Sequence, residues 1–100
     1  MENGAETKPE PGSVTINADG SATIDFSDMP IKGPGGEGEI TSVTMREPRV
    51  SDQLAGDGMS PMRAEVLVIG NLCELPPEVV EALTIQQYGR LQDQYRVFMS

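Results

Sequence analysis

The stretch Ser13-Val14-Thr15-Ile16-Asn17-Ala18-Asp19-Gly20-Ser21-Ala22-Thr23-Ile24-Asp25-Phe26 decides how the fold begins. Val14 and Ile16 alternate with Ser13, Thr15 and Asn17. Ala22, Ile24 and Phe26 alternate with Ser21, Thr23 and Asp25. A period of two is the pattern of a strand with one buried face. Between the two runs, Asp19-Gly20 supplies a residue that takes positive φ at no steric cost, as a tight hairpin turn requires. Residues 13–26 are therefore predicted to be a β-hairpin.

Working outward, residues 1–12 hold Glu2, Glu6, Glu10, Pro9 and Pro11 and almost nothing apolar. Such a segment buries too little surface to offset the entropy of ordering, and it reads as a disordered acidic tail. On the other side, residues 27–38 contain Pro30, Gly33, Pro34, Gly35, Gly36 and Gly38, a density that ends regular structure and predicts a flexible loop. Residues 39–46 read as a third strand. Thr41, Val43 and Met45 lie on one face, and Pro48 ends the strand because it has no N–H to donate.

Beyond Pro48 the apolar spacing becomes helical. Ser51 is placed to cap a short helix ended by Gly56 and Gly58. Ser60-Pro61 starts a second, with a stripe of Met62, Val66, Ile69 and Cys73 widened by Leu67 and Leu72. Leu75-Pro76-Pro77-Glu78 breaks it and opens a third, with Val79, Val80 and Leu83 apolar. Thr84 and Gln87 form a capping box for the last helix, whose stripe is Ile85, Tyr88, Leu91, Tyr95 and Phe98. The fold class is α+β: an N-terminal antiparallel β-hairpin plus a third strand, then a C-terminal bundle of three or four short helices. Residues 13–100 form one small domain, with the sheet in 13–46 and the helices in 51–99.

Composition narrows the function. The chain has 100 residues, a net charge of −9, one cysteine and no histidine. The acidic balance argues against nucleic acid, which requires clustered cations to neutralise phosphate. Without histidine, and with Cys73 alone, the common zinc sites and nucleophile–base pairs are unavailable, so no metal, cofactor or catalytic residue is expected. Cys73 reads as a small buried hydrophobe in a reducing compartment. The start of the chain lacks the basic and apolar regions of a signal peptide, and no apolar run approaches the ~20 residues that span a bilayer. These features predict a cytoplasmic, non-enzymatic protein without a membrane partner. The Gly-rich segment at 33–38 lacks the Gly-Lys-Ser/Thr ending of a phosphate loop and does not lead into a helix.

Two stretches resemble a known family. Ile40-Thr41-Ser42-Val43-Thr44-Met45-Arg46-Glu47-Pro48, followed by Asp52, is similar to the strand and hydrophobic-Arg-Glu-Pro turn of the tail assembly chaperones of Mu-like and related contractile-tailed phages. Leu75-Pro76-Pro77-Glu78, then Leu83-Thr84, Tyr88, Leu91 and Phe98, resembles that family's closing Leu-Pro-Pro turn and final helix. The hairpin at residues 13–26 and the Gly-rich loop depart from the family's pattern. The resemblance implies a non-enzymatic assembly chaperone that acts in the cytoplasm of the bacterial host and is absent from the mature virion. It implies the tape measure protein as client, kept soluble until the tail tube protein polymerises around it. The alternative is a small structural tail component, such as a tube, terminator or baseplate protein.

Candidate contact residues follow from side-chain chemistry. Met59 and Met62 lie beside loops, where methionine adapts to varied apolar helices. Tyr88, Leu91, Tyr95 and Phe98 share one face of the last helix, and Met99 follows them. Core packing is the ordinary role of such a face. Its far end, Phe98 and Met99, is best placed to project beyond the bundle and meet a client. For Arg46, Glu47 and Asp52 the favoured reading is structural. The charges pair with neighbours, and Asp52 complements the positive end of a helix.

Overall fold

A computed structural model describes residues 10–100. Strands β1 (Val14–Ile16) and β2 (Ala22–Asp25) form the expected antiparallel hairpin, with Val14 opposite Ile24, Thr15 opposite Thr23 and Ile16 opposite Ala22. Gly20 takes a φ of +91°, a left-handed value at which a β-carbon would also run into the Glu47 side chain. The Asp19 carboxylate locks the turn by accepting from the Ser21 N–H at 3.0 Å and from its hydroxyl at 2.6 Å.

The third strand divides in two. Strand β5 (Ser42–Met45) pairs with β2, giving the sheet order β1-β2-β5. Strand β4 (Glu39–Ile40) turns aside and pairs with β3 (Ile31–Lys32), Ile31 opposite Ile40. The expected loop at residues 27–38 thus contains a strand and a 3-10 turn at Pro34–Gly36. The physical cause is Ile31, an isolated apolar side chain that is drawn into the core and left 1% exposed. The start of the domain also moves. Residues 1–9 of the expected tail lie outside the described residues, whereas Gly12 donates its N–H to the Asp25 carbonyl at 3.2 Å and so belongs to the hairpin end.

Among the described residues, the three-stranded sheet is covered on one face. Ala22, Ile24, Val43 and Met45 point into the core. Thr15, Thr23 and Thr44 occupy the opposite face, and the Thr23 and Thr44 hydroxyls hydrogen-bond at 2.9 Å.

Four helices follow: α1 (Val50–Ala55), α2 (Pro61–Cys73), α3 (Pro77–Glu81) and α4 (Ile85–Met99). The start of α1 differs from expectation, because Arg49 rather than Ser51 is the N-cap. Asp52 satisfies that end by accepting from the Arg49 N–H at 2.8 Å. The other starts are as read. Ser60 accepts from the Arg63 N–H, and Thr84 and Gln87 bond each other's backbone N–H at 3.1 and 2.9 Å. Helix α2 ends on Glu74, which holds a left-handed φ of 55°.

One cluster joins the layers. Ile24, Phe26, Ile31, Val43 and Met45 from the sheets meet Val68, Ile69, Leu72 and Cys73 of α2, Val79 and Val80 of α3, and Tyr88 and Leu91 of α4. Each fully buried aliphatic or aromatic side chain here contributes about 1.5–3 kcal/mol of transfer free energy. Polar clamps orient α4 on this core. Gln87 donates to the carbonyls of Met29 and Pro30, both at 3.1 Å. Arg90 forks onto Asp28 at 2.8 and 2.7 Å, donates to the Asp25 carbonyl at 3.0 Å, and lies over the Phe26 ring.

Candidate functional site

Helix α2 carries more apolar residues than one buried face can use. Its inner side, Ile69, Leu72 and Cys73 with Val68, is consumed by the core. Met62, Val66 and Leu67 lie elsewhere on the same helix, and α3 returns beside them after the Leu75-Pro76 turn. Close approach of the two helices depends on Gly70, where a β-carbon would sit 3.2 Å from Val80 Cγ2 and 3.3 Å from the Leu75 carbonyl.

Between the helices runs an open groove of about 590 Å³. Met59, Met62, Val66, Leu67, Leu75 and Val80 form its apolar lining, and Arg63, Asn71 and Glu81 stand at its edges. Met59 and Met62 are 42% and 56% exposed, so two adaptable thioether side chains flank the mouth. A second cleft, of about 340 Å³, lies between β5 and the end of α2 and has a mixed lining, with Asp19, Ser42, Arg46 and Glu74 beside Ile40, Leu72 and Leu75.

The candidate residues separate into two places. Met59 and Met62 line the groove. None of the α4 candidates does. Tyr88 and Leu91 are core residues and present no contact surface. The Tyr88 hydroxyl donates to Glu65 at 2.9 Å, and burial, followed by this bond, pushes its phenol pKa up. Tyr95 is half-buried, and its hydroxyl accepts from Gln53 of α1 at 2.8 Å. Phe98 is half-buried against the core, and Met99 is exposed. Ile85, expected on the buried stripe, is exposed instead, while Gln94 is buried with an Nε2 that finds no hydrogen-bond partner among the described residues.

Val66, Leu67, Leu75 and Val80 are the groove residues that sequence reasoning assigned only to packing or to the turn. The signal was present in the crowding of α2. A helix apolar on more than one face in a small domain needs a second cover.

Cys73 is buried, and desolvation pushes its thiol up to about 12, so it is not a thiolate near neutral pH. Among the described residues, no group of three or more Cys, Asp or Glu side chains is placed to hold a metal ion. No described helix is long and apolar enough to cross a membrane. What the arrangement offers is an apolar, adaptable channel between two helices, a shape that accepts the apolar face of another helix.

Residues 23–100, from within β2 through α4, match the family described as phage tail assembly chaperone proteins, E, or 41 or 14. The chain belongs to this family. No curated protein and no solved structure matches it. The matched region of the chaperone contains the whole groove, the Arg46-Glu47-Pro48 turn and all four helices. Strand β1 and the turn after it precede that region. Membership of the family carries tail proteins as the general class of partner and an assembly role.

Proposed function

We propose that this chaperone binds the tape measure protein and keeps it soluble in the host cytoplasm until the tail tube protein polymerises around it. The single observation that supports the reading is the apolar groove between α2 and α3. An amphipathic client helix would lay its apolar face along Met62, Val66 and Leu67, with Met59 and Leu75 at the ends and Val80 opposite. The methionines would repack around successive client segments of different sequence. The net charge of −9 would keep the complex dispersed. No nucleotide or chemical step is needed. Tube assembly would release the chaperone by competing for the same client surface, and the chaperone would be missing from the finished virion. Phe98 and Met99 would add a second, smaller contact at the end of α4.

The experiment is co-expression with the tape measure protein of the same phage, reading the fraction of client that stays soluble and co-elutes. The unaltered chain is expected to raise that fraction. Val66→Glu, which places a charge in the groove, is expected to remove the effect while circular dichroism stays unchanged. A client that precipitates regardless, or multiple copies of this chain in purified virions, would overturn the reading.

A further inference from the structure

Strand β1 is an edge of the three-stranded sheet, and three properties of that edge fit together. The first is backbone direction. Asn17 donates its N–H to the Ser21 carbonyl at 2.8 Å, and the Ser13 carbonyl accepts from Asp25 at 2.9 Å. Residues along an antiparallel strand alternate between bonding inward and outward. Ser13, Thr15 and Asn17 therefore bond towards β2, and the N–H and C=O groups of Val14 and Ile16 point off the edge. The second is side-chain direction. Val14 and Ile16 stand on the core face, because their cross-strand partners Ile24 and Ala22 are fully buried. Yet they are 44% and 62% exposed, since the helical layer stops short of them. The third is charge. Residues 13–17 carry none, in a chain of net charge −9. Edge strands are commonly blunted by a charge, a proline or a bulge. Strand β1 itself carries no charge or proline, and the bulge of Gly12 and Ser13 opposite Asp25 lies before Val14.

We propose that β1 pairs with β1 of a second copy of this chain, antiparallel about a two-fold axis through Thr15. The outward groups fix the register. Val14 exchanges both backbone hydrogen bonds with Ile16 of the partner subunit, and Ile16 with Val14 of the partner subunit. Thr15 meets Thr15 of the partner subunit at the axis. On the core face, the four exposed β-branched side chains close over one another. On the opposite face, the row Thr44, Thr23 and Thr15 continues into its symmetry mate. Cross-strand pairs of both kinds are favourable. The match on both faces selects a second copy over an arbitrary extended peptide, which would satisfy the backbone alone.

The contact is small, three strand residues on each side, well below the roughly 800 Å² per partner of a standard stable interface. Association is therefore weak and concentration-dependent. The two chains repel at long range, so added salt tightens the pair by screening, the opposite of an interface held by ion pairs.

Sedimentation equilibrium of the full chain, at low and high salt, is the test, together with amide hydrogen exchange. The expected result is a mass rising towards twice that of one chain with concentration, and rising earlier in high salt. The Val14 and Ile16 amides slow as the dimer forms. Ile16→Lys, which sets charge against the apolar cluster, abolishes the rise. Val14→Pro does the same while removing only an outward N–H, which spares the β1–β2 ladder. A chain that stays monomeric into the millimolar range overturns the proposal. So does a dimer that survives both substitutions, or one whose Val14 and Ile16 amides exchange freely. If a variant loses its fold by circular dichroism, the amide exchange of the unaltered chain decides.

Discussion

Arg46 and Asp52 are joined twice, Nη1 to Oδ2 at 2.9 Å and Nη2 to Oδ1 at 2.7 Å. The same carboxylate accepts from the Arg49 N–H at 2.8 Å. One side chain therefore fastens the end of β5 to the start of α1 and caps that helix. Asparagine keeps one acceptor oxygen but removes the charge and the second oxygen that grips Arg46. Asp52→Asn is expected to lower stability by about 2 kcal/mol, the scale for a lost charge-assisted hydrogen bond. Urea denaturation at neutral pH measures it.

The pair also sets an acid limit. The hydrogen bonds from Arg46, then that from Arg49, hold the Asp52 carboxyl down to about 2 from its ordinary 3.8. The folded value lies below the unfolded one. The stabilisation is thus complete above about pH 4 and is lost as pH falls through about 2. Asp28, held down by Arg90, acts in the same direction. Urea midpoints taken from about pH 5 to about pH 2 should fall more steeply for the unaltered chain than for Asp52→Asn. Parallel curves would show that Asp52 is not the titrating group.

Glu74 holds a φ of 55° at the end of α2. A residue with a β-carbon is strained there by about 1–2 kcal/mol, and glycine is not. Part of that gain is offset by glycine's greater freedom in the unfolded chain. Glu74→Gly is expected to raise stability by about 0.5–1 kcal/mol, seen as a higher midpoint at unchanged m-value.

Gly56 ends α1 against α2. A β-carbon there would lie 2.8 Å from Ala64 Cβ and 3.2 Å from Ala64 Cα. Both atoms belong to a rigid helix, so the strain is not relieved by a side-chain rotation. Gly56→Ala is expected to cost about 1–3 kcal/mol, and Gly56→Val more. Thermal unfolding followed by circular dichroism reads both.

The elements that sequence made legible are those with local chemistry. Asp19-Gly20, Ser60-Pro61 and the Thr84–Gln87 box each carry their own turn or cap, and each stands where it was read. Strand β3 was not legible, because two residues in a Pro- and Gly-rich stretch have no period. Only the tertiary burial of Ile31 creates it. The cap at Arg49 was hidden because Asp52 supplies it from inside the helix. At the site, methionine chemistry marked Met59 and Met62, whereas periodicity marked Tyr88 and Leu91. A period shows that a face is apolar. It does not show whether the molecule's own core or another chain covers it.

The grip of Gln87 and Arg90 on residues 25–30 has a consequence for the order of synthesis. The sheet leaves the ribosome early, yet the groups that hold its far end arrive with α4, some 65 positions after Asp25. Until then Phe26 lacks the Arg90 guanidinium that lies over its ring, and the carbonyls of Met29 and Pro30 lack their Gln87 donor. Folding of this chain is accordingly a closing event late in translation, and a nascent chain stalled before α4 would expose apolar surface like that of the clients it is proposed to shelter.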